Sequence, residues 1–364
     1  MGWLAIADHK ERRFSLRGVG HDRQDRRRHP EENAYLLTRG SLTFETRTTA
    51  DERPQKLLGY DYGWPDQRTL MFQAIPGGGI SLVQVQGENI AHAALQHSLP
   101  ARTDILRVTF SWDAQNDWAR LTIERPEEHQ ITSVSIANVR PMALQDLRAM
   151  LMGHERGMLA KEIIFAALSD QIEPVGPMPS LSPNAPVATP QGYRALGDLK
   201  RGDTVYTRSG DIVPVLHRID RTVPARGSFA PLRLRAPYFG LMQDLVVTPE
   251  QRLVIDGSEV EYLFAQEAVL TPARHLVNGF AALPELPGPT QRYSQLILPG
   301  HEAMILAGTA LESLYIGRLR RKSDLLPATL LSPFDRSTLP EHGRTAFKVL
   351  KWFEAIHLAR QRAA

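Results

Sequence analysis

The chain has no cysteine among its 364 residues. Disulfide staples, thiolate metal sites and a cysteine nucleophile are therefore excluded. No apolar run reaches the roughly 18–20 residues that span a bilayer. The opening Met1-Gly2-Trp3-Leu4-Ala5-Ile6-Ala7 is too short for a signal-peptide core and has no basic residue ahead of it. Ile6 also stands where a myristoylation pattern wants Ser or Thr. The reading is a cytoplasmic protein, or one exported by a route that needs neither a signal peptide nor disulfides. Acidic residues spaced as a calcium loop are missing too: Asp61, Asp66 and Asp113 are scattered, and no metal or cofactor is expected.

What is present suits a soluble globular chain, with 42% hydrophobic and 23% charged residues, long enough for two domains and a tail. The net charge of +3 is unevenly placed. Residues 1–30 hold eight Lys or Arg against four Asp or Glu, a surplus of four, so the rest of the chain sums to about −1. This composition predicts a basic, solvated arm. The sharper alternative is an electrostatic tether to nucleic acid or an anionic surface, but no interleaved aromatics support nucleic-acid binding.

From residue 31 to 145 the texture is that of short strands. Segments 41–48, 69–74, 80–85, 105–112, 119–124 and 132–139 alternate apolar and polar residues, which puts one face of each toward a core. Turn chemistry separates them, and the count predicts an antiparallel β-sandwich of jelly-roll type. The stretch 106–124, with Trp112-Asp113 before its turn, resembles a hairpin of concanavalin-like or laminin-G-like sandwiches. That resemblance implies a module binding carbohydrate or protein. Tyr60, Tyr62, Trp64, Trp112 and Trp118 are its candidate ligand-stacking residues, and the bland alternative for Trp112 and Trp118 is packing within the sandwich. The loop at residues 60–64, with three rings in five residues, is the better candidate for exposed aromatics. No strand carries the paired carboxylates of a glycosidase.

Residues 146–179 read as a connector. Apolar spacing of three and four predicts two short helices, the second over 158–168, broken at Gly153 and Gly157. Pro174, Pro177 and Pro179 then make a linker.

Beyond it, the ordered blocks Ala188-Thr-Pro-Gln-Gly192, Leu196-Gly-Asp-Leu-Lys-Arg-Gly-Asp203, Asp244-Leu-Val-Val-Thr-Pro-Glu-Gln-Arg252, Thr271-Pro-Ala-Arg-His-Leu-Val-Asn-Gly279 and Gly300-His-Glu302 follow one another in a strand-and-turn segment. About residues 178–317 resemble a bacterial Hint domain, the Hedgehog/intein autoprocessing module, with the domain itself read as 180–317. The resemblance implies an all-β, horseshoe-like domain, and so a chain that is mainly β with a helical connector and a C-terminal helix. It also implies a nucleophile at Ser180, where cysteine is usual, attacking the preceding carbonyl. Thr248 matches the threonine of the family's Thr-x-x-His block, and Gln251 occupies the histidine's place. Asn184-Ala185 replaces the Gly-Thr that follows the nucleophile, and no His-Asn pair ends the module.

Glutamine bonds a carbonyl but cannot shuttle a proton. Losing a positioned acid–base costs about 10²–10⁴-fold. Asp244 is a candidate for activating water, and His275 and His301 are candidate substitute proton donors, each otherwise an ordinary loop or strand-end residue. Two readings stay open: a non-catalytic adaptor built on a degenerate Hint scaffold, and a slow self-cleaving protein that breaks the bond between Pro179 and Ser180. Within the tail, 318–364, a basic cluster at residues 318–322 precedes an amphipathic helix expected over 344–362. That helix packs on a domain or, in the alternative, meets a membrane surface or partner. Oligomeric state is not legible.

Overall fold

The structure is a computed structural model describing residues 2–20, 35–47, 53–63, 65, 67–96, 105–128, 130–154, 156–286 and 288–363. The chain divides into two compact units, Met1–Val175 and Gly176–Ala364, both built mainly from antiparallel strands. Among the described residues no helix is long and apolar enough to cross a membrane.

The first unit is a sandwich. One sheet has seven strands in the order Gln130–Ile136, Trp118–Arg125, Ile105–Asp113, Arg39–Arg47, Ile163–Ser169, Trp3–Ala7, Arg12–Phe14. The other has five, Gly157–Leu159, Gln55–Tyr62, Arg68–Ile75, Gly79–Gln86 and Asn89–Gln96. Alternation along the strands sends Leu42, Phe44, Phe110 and Trp112 from the first sheet, and Leu58, Leu70, Phe72 and Leu82 from the second, into one core. Phe44 meets Phe72 edge-on with ring centroids 5.1 Å apart, which ties the sheets together.

Two sequence expectations are corrected here. Residues 3–14, expected in a flexible arm, form two strands; Trp3-Leu-Ala-Ile-Ala7 is buried throughout and pairs with the strand Ile163–Ser169. Five consecutive apolar residues outweigh the basic composition around them. Of the expected arm, 1–30, residues 21–30 lie outside the described residues. The second expected connector helix is also absent. Helix α1, Leu144–Met152, ends at Gly153 in the left-handed conformation, but Ile163–Ser169 is an inner strand of the larger sheet. A short apolar run with Ile163, Ile164 and Phe165 suits a fully buried strand as well as a helix, and strand neighbours on both edges decide it.

The second unit holds a seven-stranded sheet, Gly192–Ala195, Pro186–Thr189, Ala303–Leu306, Thr309–Glu312, Arg252–Asp256, Ala268–Pro272 and Lys348–Val349. Beside it stand the long pair His217–Pro224 with Thr290–Ile297, and the three strands Leu245–Val247, Leu232–Leu234 and Ala282–Pro284. Helix α2 is Ser258–Phe264 and helix α3 is Trp352–Ala363. The tail belongs to this unit's core through Leu350, Ala355 and Leu358. The expected long helix is shortened to α3 because residues 348–349 run parallel to the strand Ala268–Pro272, and Leu350 N–H donates to Leu270 O at 2.9 Å. Glu354 accepts from Lys351 N–H at 2.8 Å and starts the helix there.

Candidate functional site

Leu181 places the site. It bridges two strands at once, pairing with Val247 on one side and Ser294 on the other. Ser294 N–H donates to Leu181 O at 2.8 Å, Ser182 N–H to Val246 O at 2.9 Å, and Thr248 N–H to Ser180 O at 2.8 Å. Ser180 is thus pinned by its neighbours' backbone between Leu245–Val247 and Thr290–Ile297, with Pro179 buried and Ser180 half-buried.

The hydroxyl faces two glutamines. Ser180 Oγ–H donates to Gln251 Oε1, and Gln295 Oε1 lies 3.3 Å from the same oxygen. Gln251 Nε2 donates to Arg252 O at 3.0 Å and Glu312 O at 3.3 Å, which leaves its carbonyl end for the serine. Gln295 Nε2 donates to Glu312 O at 2.8 Å and to Gln251 Oε1 at 3.3 Å. Both carboxamides are 1% exposed. Every member of this network is satisfied, and none of them titrates. Among the described residues neither a histidine nor a carboxylate bonds the Ser180 hydroxyl, and no donor bonds the Pro179 carbonyl oxygen.

Thr248 contributes through its backbone: its N–H holds Ser180 and its carbonyl accepts Gln251 N–H at 3.1 Å, which turns Gln251 inward. Asp244 is exposed. Its Oδ1 accepts Ala236 N–H at 3.0 Å and its Oδ2 lies 3.3 Å from Arg233 Nη1. The Ala236 N–H and then Arg233 hold this carboxyl below the usual range, so it is occupied elsewhere rather than poised over Ser180. His275 sits on the turn Ala273–Leu276, where its Nε2 accepts from Arg274 Nε at 3.2 Å. His301 is buried; its Nδ1 accepts Ala346 N–H at 3.0 Å and its Nε2 lies 3.3 Å from Glu312 Oε2 without hydrogen-bond alignment. The structure therefore brings Ser180, Thr248 and Gln251 together.

Gln295 and Glu312 are the members that sequence reading missed. They lie far along the chain from Ser180, in strands, and no local motif marks either one. Glu312 joins the cradle through its backbone carbonyl, while its carboxylate meets buried Arg252 at 3.4 Å and His301.

Residues 179–318 match the family model of the Hint domain.

The matched Hint segment begins one residue before Ser180, so the pinned serine opens it. No curated protein matches the chain. Among solved structures, the chain is similar to the crystal structure of the MchDnaB-1 intein, at 12% identity and a TM-score of 0.26 over 36% of this chain and 98% of that one. It is also similar to the Ruminococcus gnavus IT-sialidase CBM40 bound to alpha2,3 sialyllactose, at 13% identity and a TM-score of 0.27 over 36% of this chain and 76% of that one. The LG1-3 region of the laminin alpha2 chain follows at 8% identity and a TM-score of 0.25, over 86% of this chain and 56% of that one.

The aromatic candidates of the sandwich separate by burial. Trp112 is fully buried and its Nε1–H donates to Leu37 O at 3.0 Å, so it packs the core and has no face for a ligand. Tyr60 is 4% exposed and points inward from the strand Gln55–Tyr62; burial pushes its hydroxyl's pKa well above the usual range. These two are corrections to the expected ligand face: Tyr60 is turned inward by the strand Gln55–Tyr62, and Trp112 by the strand Ile105–Asp113. Tyr62 is half-buried, with the guanidinium carbons of Arg68 and Arg156 each 5.1 Å from its ring centre. Trp118 is half-buried under Arg120 at 5.3 Å. Trp64 lies outside the described residues. Among the described residues no group of three or more His, Asp or Glu is arranged to hold a metal.

Proposed function

We propose that the protein is a non-processing Hint scaffold joined to a β-sandwich that recognises a carbohydrate or protein ligand. The observation that carries this reading is the pair of buried carboxamides, Gln251 and Gln295, on the Ser180 hydroxyl. An N–O acyl shift needs a base to take the serine proton and an acid to release the amide nitrogen. Amides do neither. The Pro179 carbonyl also lacks a hydrogen-bond donor among the described residues, so negative charge developing on its oxygen meets no prepared partner.

For the sandwich, the reading places recognition at Tyr62, whose ring is partly open and flanked by two cations, rather than at the buried Trp112 and Tyr60. A Tyr62→Ala variant is expected to lose glycan or protein binding that the parent shows; retained binding moves the recognition face elsewhere.

The competing reading, slow self-cleavage between Pro179 and Ser180, is favoured by one feature: the hydroxyl is retained and held in place. Intact mass of the parent and of Ser180→Ala after prolonged incubation separates the two. The scaffold reading expects one full-length species from both. Two fragments from the parent alone would establish self-cleavage instead.

A further inference from the structure

A cavity of about 990 Å³ opens in the second unit, away from the contacts that hold Ser180. Its wall is polar and carries more positive than negative side chains: Arg208, Arg318, Arg344 and Lys348 against Glu302 and Glu341. Three of these six are already neutralised. Arg208 pairs with Asp256 at 2.7 Å and Glu267 at 3.2 Å, Lys348 with Glu354 at 2.8 Å, and Glu341 with Arg320 and Arg321 at 2.6 Å each.

Arg318 and Arg344 are different. Neither has an ion-pair partner among the described residues. A second observation lies on the same wall. The backbone N–H groups of Gly343, Arg344 and Thr345 make no hydrogen bond among the described residues, whereas His342 N–H and Ala346 N–H on either side do, to Gly317 O and His301 Nδ1. Space beside Gly343 is open: a Cβ there would meet nothing within 4 Å. The segment is held at its start by His342, which accepts Ile316 N–H through Nδ1 at 3.3 Å and bonds Leu298 O through Nε2 at 3.1 Å, and at its end by Ala346 N–H on His301 Nδ1 at 3.0 Å. Two guanidiniums without ion-pair partners among the described residues share this cavity wall with three successive N–H groups that have no protein acceptor, a donor set suited to an anion.

We propose that this cavity binds an oxyanion of the phosphate or sulfate class, bare or carried on a small molecule, through Arg318, Arg344 and the N–H groups of residues 343–345. Glu302, whose carboxylate has no ion-pair partner among the described residues, faces the same cavity and opposes the anion. The site is independent of any reaction at Ser180.

The test is calorimetric titration of the full chain with inorganic phosphate and, separately, sulfate at constant ionic strength. Saturable binding of one anion per chain is expected for both. An Arg318→Ala/Arg344→Ala variant should bind at least tenfold more weakly, since each lost guanidinium removes a charge-assisted contact. Glu302→Gln should bind more tightly, a change that a merely structural role would not produce. Absence of saturation with both anions, or equal affinity in the double-arginine variant, would overturn the proposal, as would weaker binding in Glu302→Gln.

Discussion

On the proposed reading, replacing Gln251 by histidine should accelerate cleavage between Pro179 and Ser180. The site already has the polarity an imidazole needs. Gln251 donates through Nε2 to Arg252 O at 3.0 Å and Glu312 O at 3.3 Å, and its Oε1 accepts a hydrogen bond from the Ser180 hydroxyl. A neutral imidazole likewise offers one N–H and one lone pair, so the carbonyls take the N–H and the lone pair meets Ser180. A positioned general acid–base contributes about 10²–10⁴-fold, so Gln251→His should speed cleavage between Pro179 and Ser180 by that factor over the parent. The assay is a time course of intact mass, with Ser180→Ala/Gln251→His as the control that must stay whole. A folded Gln251→His protein that cleaves no faster than the parent would refute the reasoning, because the amide at this position would then not be what silences the serine.

Three further perturbations test the packing and electrostatics. Trp112→Ala should cost about 3–5 kcal/mol in denaturant unfolding, since the ring is fully buried and bonded to Leu37 O; a loss below about 1 kcal/mol would contradict a core role. Leu350→Ala should cost about 2–5 kcal/mol, because the tail is part of the second unit's core rather than an appendage. His342 has its pKa lowered to about 4, first by burial and also by His301, against the pull of its bond to Leu298 O. The unfolded chain, with an ordinary value near 6.5, therefore takes up the proton first. Its contribution to stability is fully present above about pH 6.5 and is lost as pH falls toward 4, on the order of 3 kcal/mol, with little further change below. Stability curves of the parent and His342→Gln should converge toward pH 4; parallel curves would contradict this.

The sequence made the sandwich legible where apolar and polar residues alternate, as in 41–47 and 105–113, because the period of two shows even though the polar face, with Thr43, Glu45, Arg107 and Thr109, is buried as well. It misled where the strand is an almost unbroken apolar run. Ile163–Ser169 and Trp3–Ala7 show no period, and pairing settles them as strands, to each other across 160 or so positions and to Arg39–Arg47 and Arg12–Phe14 on their other edges. At the site, Ser180, Thr248 and Gln251 were legible because they sit in ordered blocks. Gln295 and the Glu312 carbonyl were not, since their roles arise from two strands meeting through Leu181. Asp244 shows the same limit: its charge is legible in the sequence, but its hydrogen bond from Ala236 N–H is not.

The central claim is that Ser180 stays chemically idle between two neutral amides. Hydroxylamine tests it on the unaltered chain, because an ester linking Ser180 to the residue 179 carbonyl would be intercepted and leave a fragment of residues 1–179 bearing a C-terminal hydroxamate. The account predicts a single unmodified full-length mass after prolonged exposure; accumulation of that hydroxamate fragment would contradict it.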